Sequence, residues 1–127
     1  MTTENLNEYA AEASERWPEK FEESQSKLAK LNDQQKRDLF NLGKEITQEI
    51  ARLFVAGLEA ESSEVQTQIG RHYRWLCQFW IPSAGAYRGM GEMYVADPRF
   101  AAYYDKFAEG LAPFMAAGMY HYAARNL

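Results

Sequence analysis

The sequence predicts an all-α fold, a compact bundle of about seven helices, and three observations carry that expectation. Apolar residues recur at i, i+3, i+4 and i+7 along most of the chain, the spacing that lines one face of a helix. No stretch alternates apolar and polar residues with period two, and β-branched residues are sparse. Helix start and stop signals punctuate the stripes, and the chain has only four prolines.

A first helix is expected from about Thr3 to Ser14, with Glu4, Glu8, Glu12 and Glu15 at near-helical spacing as a solvated face. Trp17-Pro18 interrupts it, because proline disfavours helical geometry in the residue before it. Pro18 then suits the first turn of a second helix reaching about Leu31. Asn32 or Asp33 can cap a long third helix to about Ala56, whose buried stripe is Leu39, Leu42, Ile46, Ile50, Leu53 and Phe54 and which Gly57 ends. Ser63 with Gln66 reads as a capping box opening a fourth helix. That helix carries Ile69, His72, Leu76, Phe79 and Trp80 until Pro82 stops it. Ser83 caps a fifth, through about Val95. At 97–98, Asp97 can accept from free backbone N–H groups and Pro98 sits where its missing donor costs nothing, so a sixth helix starts there. Its stripe is Phe100, Tyr103, Tyr104 and Phe107, and Gly110 closes it. The last helix, about Leu111–Arg125, offers Leu111, Phe114, Met115, Met119 and Tyr122.

Composition removes several functions. A chain of 127 residues makes one domain, 1–127. A net charge of -4 with mixed signs gives no basic face for nucleic acid. Cys77 is the sole cysteine, which excludes an intrachain disulfide and a Cys-rich zinc site. The acidic N-terminus has no apolar signal region, and no run of about eighteen apolar residues could span a membrane. A cytoplasmic protein without membrane contact is expected.

Catalysis leaves no constellation either. His72 and His121 are the only histidines, and neither has a partner at metal-ligand spacing. Nucleophile-elbow, phosphate-loop and dinucleotide signatures are absent. Glu92 stands alone as a general acid, and the glycines around it read as sites of close helix packing. A lone helix histidine on an apolar stripe reads as a satisfied core residue rather than a haem ligand. Cys77 reads as an inert, buried thiol, and Arg99 as an ion-pair partner of Asp97 or Asp105. No catalytic residue, metal or cofactor is expected.

What remains is an excess of rings. Of eighteen aromatic residues, thirteen lie between Tyr73 and Tyr122, and residues 1–38 hold only Tyr9, Trp17 and Phe21. Tyrosine suits a dry core poorly, because its hydroxyl must find a partner. Rigid amphipathic rings beside soft methionines suit a pocket for a large, flat, partly apolar ligand. The second reading, behind that one, is an aromatic groove that receives a partner helix. The N-terminal part has few apolar side chains (Leu6, Tyr9, Trp17, Phe21, Leu28, Leu31) to offset the entropy of ordering its backbone. Residues 1–31 are therefore expected to act as a lid that a ligand holds in place, over a stable core of residues 33–127.

The segment "RHYRWLCQFWIPSAGAYRGMGEMYVADPRFAAYYDKFAEGLAPFM", residues 71–115, resembles the TipA-type antibiotic-recognition domain, the C-terminal effector half of MerR-family multidrug-sensing regulators. Its "MYV-x-DPRF" block is specific, and "RWPEKF" at 16–21 resembles the family's "RW" segment. The resemblance implies a globin-like bundle without haem that binds thiopeptide and other macrocyclic or polyaromatic antibiotics, its N-terminal helices closing over the drug. Carried over by position, it implies a cleft lined by His72, Trp75, Phe79 and Trp80, by Tyr87, Met90, Met93 and Tyr94, and by Tyr104 and Phe107, with Trp17 and Phe21 on the lid. Some family members bear a cysteine just after the aromatic exit of the fourth helix and capture drug covalently. Pro82-Ser83 stands there in this chain, so non-covalent binding is expected. Without a DNA-binding or coiled-coil helix ahead of residue 1, the expectation is a monomer. It would be either the effector part of a MerR-type activator or a freestanding resistance protein that sequesters drug, the second being favoured.

Overall fold

The computed structural model describes residues 26–127. Residues 26–29 are helical, the end of the expected second helix, and the expected first helix lies outside the described residues. Five complete helices follow: α1 (Asp33–Val55), α2 (Ser63–Leu76), α3 (Ala84–Ala96), α4 (Pro98–Asp105) and α5 (Leu111–Asn126). Among the described residues there is no strand, and the fold is all-helical as the apolar periodicity requires.

Both ends of α1 are written in its sequence. Asn32 Oδ1 accepts from the Gln35 N–H at 2.8 Å, and the Asn32 N–H donates to Gln35 Oε1 at 2.9 Å, a reciprocal capping box. At the far end Gly57 adopts φ +91°. That left-handed turn lets the Leu58 N–H reach Leu53 O and the Gly57 N–H reach Phe54 O, satisfying two orphan carbonyls. The buried face is Gly43, Ile46, Thr47, Ile50, Ala51 and Leu53. Leu42, expected inside, is exposed, and Leu39 and Phe54 are half-buried. The stripe is rotated because the glycine at 43, not a large apolar residue, meets α2.

Two boundaries differ from expectation. The N-cap of α2 is Ser62, one residue before the expected Ser63; its Oγ accepts from the Val65 N–H and donates to Glu59 O. The Gln66 amide is drawn elsewhere, donating to Ala60 O at 2.8 Å and to Gly118 O at 3.1 Å, and so ties α2 to α5. The helix also ends at Leu76 rather than near Pro82. Tight bonds from Gln78 N–H to Trp75 O and from Phe79 N–H to Leu76 O close its last turn. The Tyr73 hydroxyl then pins the linker by donating to Pro82 O at 2.8 Å.

Ser83 caps α3 and Asp97 caps α4, with Pro98 in its first turn. Arg99 pairs with Asp97 at 2.7 Å, one of the two partners foreseen. The sixth expected helix stops early, at Asp105, because residues 106–110 form turns ending on left-handed Gly110, whose N–H donates to Asp105 Oδ1.

The helices close on one core of Ile46, Ile50, Val65, Ile69, Leu76, Tyr87, Met90, Leu111, Met115 and Met119. The most extensive packing is between α3 and α5. There Gly91 lies against Ala116 so closely that a Cβ at 91 would stand 3.1 Å from its Cα, the close packing expected of that glycine-containing stretch.

Candidate functional site

Helix α2 sets the site, because residues 72, 73, 75, 76 and 79 run along its inner and flanking faces and on into its final turn. At its centre is His72, only 2 % exposed. Its Nδ1 lies 2.7 Å from the hydroxyl of Tyr87 on α3, and that hydroxyl lies 3.4 Å from Ile69 O. Burial pushes the His72 imidazole down to about 4, so it is neutral at pH 7. Burial, with Tyr94, Tyr122 and Tyr73 nearby, raises the Tyr87 phenol well above its ordinary range, so it keeps its proton.

Trp75 is held differently. Its indole Nε1–H donates to Leu39 O, a carbonyl of α1, at 2.8 Å. The ring lies on Gly43, where a Cβ would stand 2.5 Å from Trp75 Cζ2. The half-buried indole is therefore seated in a groove of α1 that only glycine provides, and Phe79 meets it edge-on at 5.2 Å.

From His72 the rings continue without a break. Trp75 lies 6.0 Å away and Tyr94 6.5 Å. Tyr94 is in turn 4.7 Å from Tyr104 and 5.7 Å from Phe100. Tyr104 leads to Tyr103 at 5.1 Å, and Tyr103 to Phe107 at 5.4 Å. A second branch runs from Tyr87 to Tyr73 at 5.1 Å and from Tyr73 to Tyr122 at 5.6 Å. Such tilted and edge-on pairs follow from the ring quadrupole.

The structure thus joins His72, Trp75, Phe79, Tyr87, Tyr94, Tyr104 and Phe107 of the expected set in one aromatic series. Trp80, Met90 and Met93 are buried members of the surrounding core, Met90 fully so. Trp17 and Phe21 lie outside the described residues. The site residues missed from sequence are Tyr73, Phe100, Tyr103 and Tyr122, together with Gly43 and the Leu39 carbonyl that seat Trp75. Phe100 and Tyr103 were legible as part of the α4 stripe; a glycine in the middle of the long α1 was the only sign of the seat.

Chemically the series is uncharged. It offers ring faces, thioethers and one neutral imidazole. No three His, Cys, Asp or Glu side chains gather as a metal site among the described residues. Cys77 is half-buried at the C-cap of α2, and Glu92 is exposed. No helix among the described residues is long and apolar enough to cross a membrane.

Comparisons with known proteins bear on this arrangement. The family model of the TipAS antibiotic-recognition domain matches residues 9–122. The HTH-type transcriptional regulator SkgA of Caulobacter vibrioides, in strains NA1000 and CB 15, is 32% identical over 82 residues, 63% of this chain and 32% of its own length. The chain thus spans about a third of the length of these relatives. Among solved structures, TipAS in complex with nosiheptide, from a thiopeptide antibiotic multidrug resistance system of Streptomyces lividans, matches with a TM-score of 0.80 at 25% identity, over 94% of this chain and 85% of that one.

Proposed function

The chain belongs to the TipAS antibiotic-recognition domain family, and from that premise we propose that it binds hydrophobic, thiopeptide-like or polyaromatic antibiotics on its aromatic series. The observation that carries the proposal is the unbroken run of rings from Phe79 through Trp75, His72 and Tyr94 to Phe107, which contains no charge. A flat, partly apolar guest gains there by burial and stacking, and an ionic one gains nothing. The solved neighbour that holds nosiheptide supports the same reading.

In this proposal His72, Trp75, Phe79, Trp80, Tyr87, Met90, Met93, Tyr94, Tyr104 and Phe107 line or back the cleft. Trp17 and Phe21, within residues 1–31, close over the guest. The seated indole of Trp75 serves as a stacking platform, since a ring that is already fixed loses little entropy on binding. The protein acts in the cytoplasm as a monomer without contacting nucleic acid itself and without turning its ligand over. It lowers free drug by stoichiometric binding, or reports the drug to a DNA-binding half by shifting a conformational equilibrium.

Tryptophan emission from Trp17, Trp75 and Trp80 tests the reading. Titration with nosiheptide is expected to give a saturable, one-to-one change, with the drug recovered chemically unaltered. Silence toward nosiheptide and a broad panel of thiopeptide and polyaromatic drugs, together with a response to amphipathic helical peptides, would replace this reading with a partner-helix groove. Recovery of a modified drug would make the protein an enzyme.

A further inference from the structure

His72 has two ring nitrogens and a visible use for only one. Nδ1 meets the Tyr87 hydroxyl at 2.7 Å, whereas Nε2 has no hydrogen-bond partner among the described residues. A neutral imidazole carries one proton, so the Tyr87 contact decides what Nε2 presents. If Nδ1 held the proton, the phenol would have to donate to Ile69 O at 3.4 Å, a long and weak bond. If the phenol donates to Nδ1, the 2.7 Å separation is the ordinary length of a bond from a hydroxyl, and Nε2 bears the N–H.

Ring geometry directs Nε2 roughly opposite to Nδ1, away from Tyr87. The neighbouring rings of Trp75 and Tyr94, 6.0 and 6.5 Å off, supply no carbonyl or carboxylate to receive it. No side-chain nitrogen or oxygen sealed from solvent lacks a partner among the described residues. An Nε2 without a partner therefore keeps contact with accessible space, although His72 as a whole is 2 % exposed.

We infer that the Nε2–H of His72, its tautomer fixed by Tyr87, is the polar anchor of the aromatic series and donates a hydrogen bond to a neutral acceptor of the bound antibiotic. The inference rests on the binding function proposed above. It names the acceptor class: an amide carbonyl oxygen or the nitrogen of a heteroaromatic ring. A neutral donor among apolar rings does not compensate the desolvation of a carboxylate, so ligands that must present one are discriminated against.

Two measurements test it. Long-range 1H–15N spectra of the ligand-free protein at pH 7 read the tautomer directly, and Nε2–H is expected. Finding the proton on Nδ1 overturns the inference whatever the protein binds. Nosiheptide titrations then compare two variants. His72→Asn places an amide oxygen near the Nδ1 position, keeping an acceptor for Tyr87 and removing the second donor. His72→Gln extends an amide N–H toward the Nε2 position and gives up the Tyr87 contact. H72N is expected to weaken nosiheptide binding about tenfold or more while melting near wild type. H72Q is expected to recover most of the affinity despite a lower Tm. Nosiheptide binding by H72N within about twofold of wild type overturns the anchor and leaves the functional reading standing. Equal losses in H72N and H72Q, tracking their stability, assign His72 to structure alone and also overturn it. Failure of the wild type to bind nosiheptide and every member of the thiopeptide and polyaromatic panel, with the Nε2–H tautomer present, overturns the ligand assignment together with the functional reading.

Discussion

The imidazole of His72 is held to about 4 by burial, against 6.5 in the unfolded chain, and that gap ties folding to pH. As pH falls below 6.5 the unfolded state takes up a proton that the folded state refuses until about 4. Stability from this group is therefore complete above 6.5 and lost progressively on acidification to about 4. At about 1.4 kcal/mol per pH unit the loss amounts to about 3–4 kcal/mol at most. The Tyr87 phenol, raised well above its ordinary range, keeps its proton throughout that window and adds nothing to the slope. Thermal melts between pH 7.5 and 4.5 are expected to show a steady fall in Tm for the wild type and a flatter profile for H72N. Equal slopes would place the acid sensitivity elsewhere. The same burial explains why His72 was legible as a core helix histidine while its two nitrogens were not: the sequence shows a His on an apolar stripe, and only the Tyr87 hydroxyl at 2.7 Å tells them apart.

The helices test the packing through their glycines. Gly85 and Gly91 share α3, yet a Cβ at 85 meets nothing within 4 Å and a Cβ at 91 would stand 3.1 Å from the Ala116 backbone. Gly85→Ala is expected to stabilise by about 0.5–1 kcal/mol, through reduced freedom in the unfolded chain. Gly91→Ala is expected to destabilise by about 1–3 kcal/mol, because backbone cannot step aside as a side chain can. Urea unfolding of the two variants reads both signs, and a matching sign would refute the account of the α3–α5 crossing. Gly43→Ala strikes the seat of Trp75, so a similar loss is expected together with a shifted tryptophan emission maximum.

The caps at Asn32, Ser83 and Asp97-Pro98 and the stop at Gly57 were legible, because they depend on one or two neighbouring residues. The end of α2 and the rotated stripe of α1 were not, because they depend on long-range partners. Pro82 O is claimed by Tyr73, and the α1 face is chosen by an indole 32 positions away from Gly43. For the same reason the sequence could gather the rings of α2, α3 and α4 as candidates without ordering them into a series.

Across the whole molecule, the described helices and residues 1–31 draw on very different apolar resources. The core of residues 33–127 contains two isoleucines of α1, Val65, Ile69, Leu76, Leu111 and three of the methionines, each sealed from solvent. Residues 1–31 can contribute Leu6, Tyr9, Trp17, Phe21, Leu28 and Leu31, few side chains for the backbone entropy of that length. In the proposed reading, where residues 1–31 close over a ligand held on the ring series, the ligand adds apolar area that neither part has alone, and binding and ordering of that segment become one equilibrium. Two consequences can be measured together. Saturation with nosiheptide at about a hundred times its Kd is expected to raise stability by about 2.7 kcal/mol and Tm accordingly. In the same sample, amide exchange is expected to slow far more in residues 1–31 than in α5, whose buried residues already belong to the core. Equal protection of residues 1–31 with and without drug would overturn the coupling between that segment and the ligand.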